Sequence, residues 1–240
     1  MSKTTLQTTA NHSQDAMDRQ VFGIRPTNAF QSRLGALSLA LAGILFFLYP
    51  ALRPFSNEAS LQGAEAFASP FWILAHMLAI GGFILLALSL LGLYSALQNT
   101  PTRRLMSVAL VLTWIGVGFT LPYYGAEIFA LHAIGQEAVK QQSVALLPLV
   151  SAVRYGPAIF VFAVGLLLLA VGPILVAITV WRSGTLSRWS SMVFALGFAL
   201  YIPQFFGPQP IRVAHGVLVA IGCIWFAWSM VQSQQRRKTL

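Results

Sequence analysis

Long apolar runs dominate this sequence, and each is close to the length that a helix needs to cross a membrane. About 20 predominantly apolar residues are needed, because the hydrocarbon core is about 30 Å thick and an α-helix rises 1.5 Å per residue. The runs occupy residues 34–52, 72–97, 105–133, 158–181, 189–206 and 211–232. We therefore predict an all-α polytopic membrane protein, a bundle of six transmembrane helices arranged as three hairpins.

The composition agrees with this class. Of 240 residues, 57% are hydrophobic and only 9% are charged, whereas a soluble domain carries roughly 25% charged residues. The mean hydropathy is +0.72, and the lone cysteine, Cys223, has no partner in the chain. A soluble globular domain, a disordered chain and a disulfide scaffold are therefore excluded.

The fifth run is the weakest of the six. Residues 189–206 reach only about 27 Å as a helix, and Pro203 interrupts the last turn. A chain with five spans would leave its C-terminus on the outer side of the membrane.

The basic residues favour six spans with both termini in the cytoplasm. With six spans, four basic residues fall in outer segments, namely Arg53, Lys140, Arg154 and Arg212. The other eleven fall in inner segments: Lys3, Arg19, Arg25, Arg33, Arg103, Arg104, Arg182, Arg188, Arg236, Arg237 and Lys238. Basic residues near span ends resist translocation, so this asymmetry predicts an N-in, C-in protein of a plasma or inner membrane.

Three regions follow from this topology. Residues 1–33 are polar, and we expect a mobile cytoplasmic tail with no cleavable signal, so that the first span acts as an uncleaved anchor. Residues 34–232 form the six-span domain, and residues 233–240 form a basic cytoplasmic tail.

The net charge of +9 does not indicate that this protein binds nucleic acid. The inner basic residues lie beside span ends, where anionic lipid headgroups are their natural partners. A chain this small is also expected to work with protein partners or as a homo-oligomer.

Proline and aromatic residues recur where the outward-running spans end. Pro50, Pro122 and Pro203 should kink or end their helices, because proline removes a backbone hydrogen bond. Splayed outer ends would leave a vestibule between the helices. The apolar stretch 144–153 is too short to cross, and we predict a short interfacial helix over that vestibule.

Polar side chains of the spans cluster on the same outer side. We predict that a vestibule there is lined by His76, Tyr123, Glu127, His132, Tyr201 and His215. We further predict that His76 and His215 face each other, which requires the second and sixth spans to be neighbours.

Three interpretations of these residues remain open. His76, His132 and His215 are candidate ligands of a divalent metal such as zinc, although no HxxxH or HExxH motif occurs. His76 and His215 alone could ligate a haem. Alternatively, all three are ordinary headgroup-level side chains that need only water or a backbone carbonyl as partner.

Glu127 is the residue whose state depends most on the fold. If its helix bends away from the membrane at Pro122, the carboxylate is solvated. If the helix runs straight, the carboxylate is buried and needs a partner, for which Arg154, Arg212 or a histidine is available.

The sequence contains no Ser-His-Asp set, phosphate-binding loop, dinucleotide fingerprint or CxxC pair. It therefore favours a non-enzymatic membrane protein with an outer vestibule, such as a small transporter, a sensor or a subunit of a membrane complex. The alternative is a membrane enzyme or redox protein that uses the outer histidines to bind a metal, a haem or a quinone.

Overall fold

The computed structural model describes residues 27–236, with side chains described for residues 30–235. All regular elements in this part of the chain are helical. They are α1 (Thr27–Leu52), α2 (Leu61–Ala68), α3 (Pro70–Leu97), α4 (Arg103–Lys140), α5 (Pro148–Tyr155), α6 (Ala158–Ser183), α7 (Arg188–Ala199) and α8 (Gln209–Arg236), with a short 3₁₀ helix (Pro203–Phe206) between α7 and α8.

Five of these helices are long and apolar enough to cross a membrane: α1, α3, α4, α6 and α8. The predicted class, an all-helical protein with helices long and apolar enough to span a membrane, is therefore confirmed for the described residues. The predicted count of six spans is not.

The predicted fifth span, residues 189–206, is two short elements instead of one helix. Helix α7 has 12 residues, or about 18 Å, and ends at Ala199. The chain then turns and forms the 3₁₀ helix, whose first residue is Pro203. Proline fits a first helical turn because the backbone N–H that it lacks has no acceptor there.

Six helices pack as a closed ring. Helix α1 packs against α3 and α8, and α7 packs against α8 and α6. Helix α4 closes the ring by packing against both α6 and α3, and α2 also packs against α4. The predicted hairpin partners, α1 with α3, α4 with α6, and α7 with α8, are therefore neighbours.

Aromatic side chains fill the centre of this ring. Buried aromatic residues come from all six helices of the ring and from the turn after α7. They are Phe46, Phe83, Tyr124, Phe162, Phe194, Phe198, Tyr201 and Phe226. Many are in edge-to-face contact, for example Phe46 with Phe83 at 4.8 Å between ring centroids, an arrangement that aromatic quadrupoles favour.

The helices extend further than the apolar runs that predicted them. Helix α1 begins at Thr27 rather than Leu34, so the last residues of the predicted tail are helical, while residues 1–26 lie outside the described part. Ser32 is buried and accepts a hydrogen bond of 2.6 Å from the amide of Gln234. Residues near the two termini therefore lie together at one end of the bundle, which we call the terminal end.

Helix α4 is unbroken across Pro122. Its 38 residues extend for about 57 Å, well beyond the roughly 30 Å of a hydrocarbon core. The part of α4 that follows Pro122 carries Glu127 and His132, at the end of the bundle opposite the terminal end.

Candidate functional site

Four charged side chains meet at this opposite end, which we call the cavity end. Arg53 follows the last turn of α1, Glu58 lies in the linker before α2, Glu127 lies on α4 and Arg154 lies on α5. We call these four residues the charge cluster. The predicted short helix in segment 144–153 is present as α5, and it brings Arg154 into the cluster.

Arg154 binds both carboxylates of the cluster. Its Nε donates to Glu127 Oε1 at 2.6 Å and its Nη2 donates to Glu127 Oε2 at 2.9 Å. Its Nη1 donates to Glu58 Oε2. Two parallel N–H···O bonds to one carboxylate fix its orientation as well as its charge, so Arg154 holds Glu127 rigidly against α5.

Arg53 completes the cluster from the other side. Its Nη2 donates to Glu58 Oε1 at 2.9 Å, and its guanidinium carbon lies 4.6 Å from the ring centroid of Phe55 and 4.5 Å from that of Trp72. Cation–π contacts of this kind stabilise a desolvated guanidinium, and Arg53 is only 7% exposed. Arg53 is therefore anchored in protein.

The ion pairs set the protonation of the groups outside the spanning helices. Partial burial alone would raise the pKa of the Glu58 carboxyl, but the charges of Arg154 and then Arg53 outweigh burial and hold that pKa below its usual range. Burial would lower the pKa of Arg154, but its hydrogen bonds and charge interactions with Glu127 and Glu58 raise it. Glu58 and Arg154 therefore stay ionised at neutral pH.

Trp72 and His76 line the buried side of Glu127. The indole Nε1 of Trp72 donates to the backbone carbonyl of Glu127 at 2.7 Å, and both Trp72 and His76 are almost fully buried. His76 Nδ1 lies 2.7 Å from the Trp72 carbonyl oxygen, so Nδ1 carries the proton that it donates. His76 Nε2 then points toward Glu127 Oε2 at 3.7 Å, which is longer than a hydrogen bond.

A cavity of about 650 Å³ opens beside the charge cluster. Its polar wall includes Arg53, Glu58, Glu127, Arg154 and Arg212 together with tyrosines of α1 and α4. The apolar wall is formed by α6 and by the segment after α7, with Ile159, Phe162, Ala163, Leu166, Ile202 and Phe205. One side of the cavity thus offers charges and the other offers hydrocarbon.

The structure assigns the predicted vestibule residues to different places. Tyr123 and Glu127 line this cavity. Tyr201 and His215 line a small void beside it, and the Tyr201 hydroxyl lies 3.3 Å from that of Tyr124. His76 packs behind the cavity wall against Tyr49, and His132 lies on the part of α4 that follows Pro122.

Each of the three predicted histidines is bound to a backbone carbonyl. The partners are Trp72 for His76 at 2.7 Å, Phe67 for His132 at 2.8 Å and Gly197 for His215 at 2.8 Å. Among residues 30–235, no three His, Cys, Asp or Glu side chains group closely enough to hold a metal ion. The structure therefore does not bring the candidate metal ligands His76, His132 and His215 together.

The prediction that His76 and His215 face each other is wrong. Helices α3 and α8, which carry them, both pack on α1, and α1 lies between them in the order of helices around the ring. Each imidazole packs against a different tyrosine, His76 against Tyr49 and His215 against Tyr201. A haem held by both histidines does not fit this arrangement.

The sequence offers Arg154, Arg212 or a histidine as the partner of Glu127, but it indicates no place in the site for Arg53, Glu58 or Trp72. A weak signal was present: Arg53 and Glu58 have opposite charges in a short polar linker after an apolar run. Trp72 has the sequence position of a membrane-border residue, yet it is fully buried.

The fold and the cavity define a class: an all-helical protein with five helices apolar enough to span a membrane, and a cavity with one charged and one apolar wall at one end of the bundle. Comparison with known proteins assigns no family. No family model matches the sequence, and searches of curated proteins and of solved structures give no significant match.

Proposed function

We propose that this protein binds a small amphiphilic molecule in the cavity at the cavity end of the bundle. The observation that carries the proposal is the division of one cavity into a charged wall and an apolar wall. An amphiphile has both kinds of surface in one molecule, so it satisfies both walls together.

The apolar wall supports this proposal because it is built from large side chains. Phe162 of α6 stacks on Tyr123 with ring centroids 3.9 Å apart, and Phe205 lies 5.9 Å from Phe162. Together with Ile159 and Leu166 they offer a surface that gains free energy by removing a hydrocarbon chain from water, at roughly 25 cal/mol per Å².

The size of the cavity also supports a small-molecule ligand. A volume of about 650 Å³ lies within the range of roughly 300–1,000 Å³ that is typical of ligand pockets. A few fixed polar groups on a mainly apolar surface are also typical, and the charge cluster supplies such groups in a rigid form.

We propose that the cavity faces outward and that both termini are cytoplasmic, in a plasma or inner membrane. The eleven-to-four distribution of basic residues supports this orientation, and the Ser32–Gln234 bond is consistent with termini on one side. In this proposal, residues 188–206 make the sixth crossing as a broken helix.

Two contacts support that sixth crossing. At the terminal end, the backbone N–H of Ser187 donates to Ser229 Oγ at 2.8 Å. At the cavity end, Arg212 Nη2 donates to the Phe205 carbonyl at 2.7 Å. Residues 187–205 therefore run alongside α8 from Ser229 to Arg212, a stretch of about 25 Å.

Ligand binding from the outer side is a step shared by the small transporter, the sensor and the complex subunit that the sequence predicts. For the alternative of an enzyme that binds a metal ion, no group of three ligand side chains in the described residues offers support.

The test is direct binding of short-chain amphiphiles to the full-length protein in lipid nanodiscs. Octanol, octyl phosphate and octylamine are titrated calorimetrically, and we expect saturable binding of at least one, close to one per chain. In the variant Ala163→Trp an indole occupies the cavity next to the apolar wall, so this binding should be lost.

Ala177→Trp is the matched control. Ala177 also lies on α6 but lines a separate apolar groove between α6 and α7, so this variant should bind like the wild type. Absence of saturable binding of all three probes would refute the proposal, as would full binding by a folded Ala163→Trp protein.

A further inference from the structure

We propose that the ligand of this cavity carries an anionic group, which binds between the guanidiniums of Arg53 and Arg212 above the ring of Phe55. This inference rests on the proposed binding function and specifies the chemistry of the ligand. The site would take a single-chain amphiphile with a phosphate or carboxylate head.

The first argument is the charge of the cavity wall. Three guanidiniums line the cavity, those of Arg53, Arg154 and Arg212, against the two carboxylates of Glu58 and Glu127. The wall therefore carries one positive charge more than it carries negative charges, and the anion of a ligand would balance it.

The second argument is the distribution of the ion pairs. Both carboxylates bind Arg154, and Arg53 shares Glu58 with it. Arg212 instead donates to two backbone carbonyls, that of Gly207 at 3.0 Å and that of Phe205 at 2.7 Å. Among the side chains of residues 30–235, no carboxylate lies within ion-pair distance of Arg212.

The third argument is the position of the two guanidiniums that would contact the anion. The guanidinium carbons of Arg53 and Arg212 lie 4.6 Å and 5.7 Å from the centroid of the same Phe55 ring. They are therefore at most about 10 Å apart, and both line the cavity. Two like charges this close repel each other, and an anion between them replaces that repulsion with two attractions.

Donor groups are available for such an anion. Nη1 of Arg212 and both Nε and Nη1 of Arg53 make no hydrogen bond to another described residue. The backbone contacts of Arg212 fix its guanidinium before a ligand arrives, which reduces the entropy lost on binding. The anion would thus meet oriented donors, and its alkyl chain would lie along Phe162 and Phe205.

The experiment compares the head groups of probes with the same alkyl chain. In nanodiscs of neutral lipid, we expect the full-length protein to bind octyl phosphate about tenfold tighter than octanol, the gain typical of a charge-assisted hydrogen bond. Octylamine should bind more weakly than octanol. The preference for octyl phosphate should decrease with added salt, because salt screens the guanidiniums.

Arg212→Gln should lower the preference for octyl phosphate over octanol to less than about threefold. The variant lacks the positive charge of the guanidinium but keeps the apolar wall. Arg212→Lys keeps the charge and should keep most of the preference. Arg188→Gln is the matched control, since Arg188 lies on α7 at the terminal end, and it should bind as the wild type does.

Inorganic phosphate serves as a fourth probe, and it distinguishes a free anion from an amphiphile. It should bind at least tenfold more weakly than octyl phosphate, because it makes no use of the apolar wall. Equal affinity for phosphate and octyl phosphate would overturn the inference.

The inference would also be overturned if octanol or octylamine bound to the wild type as tightly as octyl phosphate does. Saturable binding in that case would leave the proposed function intact. Absence of binding of all the amphiphiles would refute the proposed function itself. The wild-type comparison requires no variant, so a failure of Arg212→Gln to fold does not prevent the test.

Discussion

Arg154 and Glu127 form a two-point ion pair, with Nε and Nη2 of the guanidinium donating to the two oxygens of the carboxylate at 2.6 Å and 2.9 Å. The pair joins α5 to α4, and both side chains are about nine-tenths buried. Because Arg154 also binds Glu58, the pair fixes the linker after α1 as well. The polar wall of the cavity therefore depends on one arginine from the short helix.

Replacing Arg154 with glutamine should destabilise the protein strongly. Removing one partner of a buried ion pair leaves the other charge without compensation, at a cost of about 3 kcal/mol. Thermal unfolding in detergent measures this effect. Lys140→Gln removes a partner of an exposed pair with Glu137 and should change the melting temperature little, because solvent screens such pairs. Equal melting temperatures of the two variants would contradict the role of Arg154.

The contribution of Glu58 to the stability of the folded protein should depend on pH. Since its pKa is lowered in the folded protein, the stability it provides is fully present above the ordinary carboxyl pKa of about 4.3 and is lost as the pH falls through the lowered value. The melting-temperature difference between wild type and Glu58→Gln should thus be constant from about pH 6 to 8 and shrink below about pH 4. A difference that grows on acidification would contradict this assignment.

Replacing His76 with alanine should destabilise the protein by about 2 kcal/mol, because it removes a side chain that is only 1% exposed, with its hydrogen bond and ring contacts. His132→Ala, which removes a half-buried imidazole with a similar carbonyl bond, should cost clearly less. Chemical unfolding followed by tryptophan fluorescence gives both values. A larger loss for His132→Ala would show that burial does not decide the effect.

The contact between α1 and α3 should be intolerant of even one methyl group at Gly92. A Cβ there would lie 2.6 Å from both the Gln31 carbonyl oxygen and Gly35 Cα, so Gly92→Ala should push the helices apart and cost about 2 kcal/mol. Gly118 on α4 has open space around its added Cβ, and Gly118→Ala should cost nothing or stabilise by up to about 1 kcal/mol. Thermal unfolding of the pair tests the close approach.

The proposed topology predicts the location of reporter fusions. Fusions after residue 100, after residue 185 and at the C-terminus should all report the cytoplasm, and an insertion at residue 144 should report the outer side. These positions lie in linkers or at an end of the chain, so a reporter there disturbs no helix. An external C-terminus combined with a cytoplasmic residue 185 would show that residues 188–206 do not cross.

The long apolar runs by themselves determined the fold class and the positions of the five long helices. A helix satisfies its backbone hydrogen bonds internally, so a run of 20 or more apolar residues in lipid has essentially one conformation available. The sequence also predicts that Glu127 needs a partner if its helix runs straight past Pro122. Residues that are close together in the sequence set these properties, so the sequence is enough to predict them.

Only the tertiary structure decided which partner Glu127 has and which side chains form the site. Arg154, Arg212 and the histidines were equally available in the sequence, and the choice of Arg154 follows from how α5 lies against α4. Arg53 and Glu58 lie in a linker, which has no periodic sequence pattern. Their place in the charge cluster therefore also follows only from how the segments pack. The histidines were separated because α1 occupies the place between α3 and α8. The order of helices around a ring is set by the close packing of many side chains, and no single segment of the sequence records it.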